Sequence, residues 1–133
     1  MAGPGVRVLV VDDTPQIRLL LRLNLELEGH LVEEAADGAG CLARLRDASA
    51  LPVDVVLLDA QMHPLDGWAT TAEIRRDPAL SGLPVVMVTA SVQSHHRARA
   101  RQVGVDWFVT KPFEPTDVVE VVERLAAARR SLP

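Results

Sequence analysis

Apolar residues fall along the chain in five short runs, and the stretches between them follow a different period. Val6 to Val11 is a Val/Leu run that ends at Asp12. Val53 to Leu58 is apolar apart from Asp54 and ends at Asp59, and Pro84 to Val88 is apolar throughout and ends at Thr89. Trp107 to Thr110 is the last run, ending at Lys111. Leu31 to Ala35 carries two glutamates, which predicts a strand nearer a sheet edge. Near-continuous apolar strands alternating with helices predict a parallel sheet covered on both faces.

The intervening stretches carry helix punctuation. Thr14-Pro15 opens the first helix, with proline where its missing N–H costs nothing, and Gly29 closes it. Gly38 to Ser49 is the second, and Trp68 to Asp77, stopped by Pro78, is the third. Gln93 to Val103 before Gly104 is the fourth, and Pro115 to about Arg130 the fifth, with Val118, Val119, Val122, Leu125 and Ala126 on one face. Leu21 to Glu28 alternates leucine with polar residues four times, a strand pattern taken alone. Leu, Arg and Glu are good helix formers, and the Pro start and Gly stop frame a helix of ordinary length, so helix is expected there. Ile17, Leu20, Leu21 and Leu25 are its expected core face. The order is an α/β chain of the type (βα)5, doubly wound.

Composition narrows the class. A chain of 133 residues, 48% hydrophobic, is one ordinary domain with a real core. No apolar run approaches the roughly 20 residues that span a bilayer, and the N-terminus lacks the pattern of a signal peptide. A net charge of -4 disfavours direct nucleic-acid binding. The expectation is a cytoplasmic single domain over 1–133, core about 6–128, with no membrane insertion and no output domain. Cys41 stands alone, so an intramolecular disulfide is excluded, and it reads as a small helix-face residue. Of the fourteen basic residues all are arginine except Lys111.

The strand ends concentrate the chemistry. In an open parallel α/β sheet, ligands bind beyond the carboxyl ends of the strands. Four of the five runs end there in Asp12-Asp13, Asp59, Thr89 and Lys111. One such Asp is ordinarily a helix N-cap. Three carboxylates with a hydroxyl and an ammonium are another matter: they repel, raise one another's pKa, and invite a hard divalent cation such as Mg²⁺. With Asp12 and Asp13 on the metal, Asp59 is both ligand and nucleophile, and its attack on phosphorus yields an aspartyl phosphate. The metal, the Thr89 hydroxyl and the Lys111 ammonium then neutralise the three equatorial oxygens.

Val8-Leu-Val-Val-Asp-Asp13, Val55-Val-Leu-Leu-Asp59, Asp66-Gly67, Val86-Met-Val-Thr-Ala90 and Thr110-Lys-Pro-Phe113 resemble the signature blocks of the CheY-like receiver domain of two-component response regulators. The resemblance covers about Val6 to Leu125. It implies a flavodoxin-like fold with strand order 2-1-3-4-5, and a phosphoacceptor switch in a phosphorelay rather than a turnover enzyme. The donor it implies is a histidine kinase or histidine phosphotransfer protein, acting on Asp59. Mg²⁺ would be held by Asp13, Asp59, the Gln61 backbone carbonyl and, through water, Asp12. Thr89 matches the switch hydroxyl and Phe108 the switch aromatic, where tyrosine is common. Both would relay the change to the surface of the fourth helix, fifth strand and fifth helix, for a downstream effector protein, an output domain or a homodimer partner. A cis Lys111–Pro112 bond is also implied.

One block departs from the family pattern: Met62-His63-Pro64-Leu65-Asp66-Gly67 carries its proline one place later, at unchanged length. His63 reads as an exposed loop residue, and Gln61 and Ser91 flank the site where the family tunes phosphoryl lifetime. Leu19, Leu23 and Leu27 form an i, i+4, i+8 stripe, read either as part of a leucine-rich buried face or as a patch for the phosphotransfer partner. Arg97, Arg99 and Arg101 with His95 and His96 make the fourth helix basic, either a solvated face or a protein interface. Trp107 is expected partly buried beside Phe108. Two rival classes fit less well. An Asp-nucleophile hydrolase would carry an acid where Gln61 stands, and a flavin carrier would need a Ser/Thr/Gly-rich loop where the anionic Asp-Asp-Thr-Pro follows the first strand.

Overall fold

A computed structural model describes residues 5–90, 98 and 102–130. The chain alternates strands and helices: β1 (Arg7–Val11), α1 (Pro15–Leu27), β2 (Leu31–Ala35), α2 (Gly38–Leu45), β3 (Val55–Asp59), α3 (Gly67–Arg76), β4 (Val85–Thr89), β5 (Trp107–Thr110) and a C-terminal helix, Pro115–Arg130. The strands form one sheet in the order β2-β1-β3-β4-β5, and every pairing is parallel. The expected strand order and doubly wound α/β fold are therefore observed. The basic stretch His95, His96, Arg97, Arg99 and Arg101 lies outside the described residues, as does Ser91.

Alternation along each strand sends side chains to two cores. Val8 and Val10 of β1, with Leu57 of β3, pack under Leu21 and Leu25 of α1 and Val118 and Val122 of the C-terminal helix. Leu9 and Val11, with Val56 and Leu58, pack on the other face against Leu42 of α2 and Ile74 of α3. Because both faces are covered, β3 and β4 are buried along their whole length. Each begins a residue or two later than the hydrophobic runs suggest and closes on the candidate site residue itself, Asp59 or Thr89. The second helix ends at Leu45 rather than Ser49.

The alternating segment Leu21 to Glu28 is helical through Leu27. Helix period turns Leu21 and Leu25 inward, at 2% and 0% exposure, and the stripe Leu19, Leu23 and Leu27 outward at 54%, 51% and 82%. Leu20 also faces out at 40%, which corrects its expected place on the core face. Gly29 stops the helix at φ +86°, a conformation that side chains with a Cβ rarely adopt.

Candidate phosphoacceptor site

Parallel register brings the strand ends level. Val11 of β1 pairs with Leu58 of β3, so the next residues, Asp12 and Asp59, emerge side by side. Thr89 pairs with Thr110, placing Lys111 one step beyond, where its backbone N–H donates to the Thr89 carbonyl at 2.7 Å. Donor oxygens of Asp12, Asp13 and Asp59 all lie within 4.8 Å of one another. Lys111 Nζ is 3.2 Å from Asp12 Oδ2 and 3.7 Å from Asp59 Oδ1. The pocket is graded. Asp12, Asp59 and Thr89 are buried, whereas Asp13 and Gln61 are exposed at its mouth.

Local structure fixes each carboxylate differently. Asp12 Oδ1 accepts the Thr14 N–H at 2.9 Å, closing the turn into α1. Thr14 is the N-cap by position but makes no side-chain cap bond. Asp13 receives one long hydrogen bond from the Thr14 hydroxyl, at 3.4 Å. Asp59 Oδ1 accepts the Gln61 N–H at 3.2 Å. Behind Asp59, the start of α3 comes so close that a Cβ on Gly67 would collide with the Asp59 carbonyl, Ala60 Cα and Met87 Sδ. Asp66 caps that helix, accepting the Ala69 N–H at 2.8 Å. In the loop between, the His63–Pro64 bond is cis, and after β5 the Lys111–Pro112 bond is cis as expected.

The electrostatics are strained in a specific sense. Burial above all raises the Asp59 pKa above the ordinary carboxylate value; the Gln61 N–H opposes this, Asp12 adds to it, Lys111 opposes it, and Asp13 adds slightly more. The Lys111 ammonium lies beside two of the three carboxylates, Asp12 and Asp59. The donor set is all oxygen, partly buried and open on one side, which fits a hard divalent cation that keeps water ligands. This cluster could bind a metal.

Residues 8–123 match the family model of the response regulator receiver domain. The chain belongs to that family. This receiver domain is 36% identical over 124 residues to the DNA-binding dual master transcriptional regulator RpaA of Synechocystis, an alignment covering 93% of this chain and 49% of RpaA. The chain spans about half the length of the first curated relatives it matches. Among solved structures it resembles chemotaxis protein CheY4 of Vibrio cholerae, with TM-score 0.83 and 28% identity, covering 91% of this chain and 98% of that one. It also resembles the phosphorylated cyanobacterial phytochrome response regulator RcpA, with TM-score 0.80 and 26% identity, covering 96% and 95%. Receiver domains act as signalling switches in two-component systems.

Phe108 is half-buried against the cluster of Ala60, Trp68 and Met87, which includes the residue that follows Asp59. Trp107 is 40% exposed beneath the Arg124 guanidinium, 5.9 Å from the ring centroid. His63 is exposed, and Cys41 is fully buried, with burial pushing its thiol up to about 12. No helix among the described residues is long and apolar enough to cross a membrane. Two contributors carried no sequence signal. His30 is buried, accepting the Val6 N–H at its Nδ1 (3.1 Å) and meeting Glu123 at 2.7 Å through Nε2. Arg18 reaches the Asp12 backbone carbonyl at 2.6 Å.

Proposed function

We propose that this receiver accepts a phosphoryl group on Asp59 from a histidine kinase or histidine phosphotransfer protein in the cytoplasm. The observation that carries the reading is the convergence of Asp12, Asp13 and Asp59 at the carboxyl edge of the sheet, with Lys111 beside Asp12 and Asp59. Mg²⁺ would be held by Asp12, Asp13, Asp59 and the Gln61 backbone carbonyl, and when bound it supplies positive charge to the oxygens of the transferring group. An ionised Asp59 oxygen attacks the phosphorus of a phosphohistidine, the O–P bond forms as the N–P bond breaks, and the electron pair leaves with the imidazole nitrogen, which takes a proton. Lys111 Nζ, already poised between Asp12 and Asp59, moves onto one phosphoryl oxygen, and the Thr89 hydroxyl takes another.

Thr89 and Phe108 then act as the switch. Phe108 has no hydroxyl, so its contribution is steric, within the cluster it shares with Ala60 and Met87. The altered surface takes in β5 and the C-terminal helix, for an effector, an output domain or a second copy. The exposed Leu19, Leu23 and Leu27 face suits docking of the phosphodonor. Incubation with Mg²⁺ and acetyl phosphate, followed by intact mass, tests the chemistry. One phosphate on the wild type and none on Asp59→Asn is expected; no adduct on the wild type, or one that persists in the variant, would falsify the reading.

A further inference from the structure

Asp13 sits at the mouth of the pocket with little to hold its side chain, yet a metal ligand must be held. Its carboxylate is exposed and receives only the long Thr14 hydroxyl bond among those described. What fixes it is therefore the backbone that precedes it. The Asp12 carbonyl belongs to the peptide joining Asp12 to Asp13, and Arg18 Nη1 donates to that oxygen at 2.6 Å. Arg18 stands one turn into α1, where side chains lean toward the helix N-terminus, so its long stem reaches back over the turn.

The guanidinium is itself clamped. Arg18 Nε donates to Glu34 Oε1 at 3.0 Å, and the other Glu34 oxygen takes Arg22 Nη1 at 2.7 Å. Glu34 lies on β2, beside β1, and the Arg22 hydrogen bond above all holds its carboxyl below the usual range, with Arg18 contributing. Arg18 is only 18% exposed at the side chain, unlike Arg22 at 40%. A planar fork with Nε on one partner and Nη1 on another is a geometry that lysine lacks.

We propose that Arg18 is a positioning residue for the metal pocket: through the Asp12 carbonyl it sets the Asp12–Asp13 peptide, and Glu34 holds it in place. The proposal rests on the reading of the three carboxylates as a Mg²⁺ site. A plain surface ion pair would contribute to stability alone, and little at that. A residue that orients a ligand from behind changes metal affinity, typically by tenfold or more.

The test is calorimetric titration of the full chain with MgCl₂, with no phosphodonor present. Arg18→Gln should weaken Mg²⁺ about tenfold, and Arg18→Lys, which keeps the charge and loses the fork, should fall between it and the wild type. Arg7→Gln is the control, because Arg7 pairs with Glu33 at 3.0 Å near the same edge of the sheet and, among the described residues, donates to no pocket carbonyl. It should lower stability and leave the Mg²⁺ affinity unchanged. If Arg18→Gln and Arg18→Lys both bind Mg²⁺ like the wild type, or if Arg7→Gln weakens it equally, the proposal fails while the site reading stands. Should Arg18→Gln not fold, the Arg18→Lys titration decides alone. A wild type that binds no Mg²⁺ overturns the site reading, and the proposal with it.

Discussion

Glu33 on the edge strand and Asp59 at the end of a central strand are both carboxylates beside cations, and their surroundings differ in the ratio of charges. Glu33 lies between two guanidiniums, with Arg44 Nε at 2.5 Å and Arg7 Nη1 at 3.0 Å. The Arg44 hydrogen bond above all pulls its pKa down to about 2, against the cost of burial. Asp59 shares the Lys111 ammonium with Asp12, sits within the same cluster as Asp13, and burial raises its pKa. The edge of the sheet is satisfied within the chain, whereas the carboxyl end is built short of positive charge. The difference separates a region that holds the fold from one that waits for a partner.

The comparison breaks most visibly at Asp59. Asp59→Asn should abolish the acetyl phosphate adduct and yet stabilise the Mg²⁺-free protein by about 1–3 kcal/mol in urea unfolding, because it removes an under-compensated buried charge. Lys111→Arg keeps the charge but replaces a compact ammonium with a planar fork. It should slow adduct formation at least about tenfold by intact-mass time course, and a wild-type rate would show that any cation serves.

At Glu33 the sign reverses. Its folded pKa lies below the ordinary value of 4.5, so its stabilisation is present above that value and is lost as pH falls toward about 2. Glu33→Gln should therefore cost about 1 kcal/mol at pH 7, much less than the full shift converts to, since a third of the side chain is exposed and screened. Urea unfolding should find the wild type and variant converging in acid; a constant gap would mean packing, not charge. The smallest effect is expected at Leu23, 51% exposed on the outer face of α1. Leu23→Glu should shift stability by no more than about 0.5 kcal/mol while weakening phosphotransfer from a protein donor, with acetyl phosphate transfer unchanged.

The strands and the pocket were legible because parallel sheets write both into short runs: continuous Val and Leu for burial, then a polar residue at each carboxyl end. The first helix was legible through Pro15 and Gly29 despite its alternating leucines. Its facing was not, because a leucine-rich helix carries too little contrast, and Leu20 was placed inward when it faces out. Arg18 and His30 left no pattern either. Arg18 bonds a backbone carbonyl and His30 a backbone N–H, and such partners have no residue type for a sequence to display.

The charge deficit at the carboxyl end is tested most directly by thermal unfolding of the wild type and Asp59→Asn, each with and without Mg²⁺. Without the metal, the variant should melt higher than the wild type; Mg²⁺ should raise the wild type strongly and the variant much less. A variant that melts at or below the wild type without Mg²⁺, together with equal responses to the ion, would contradict the account.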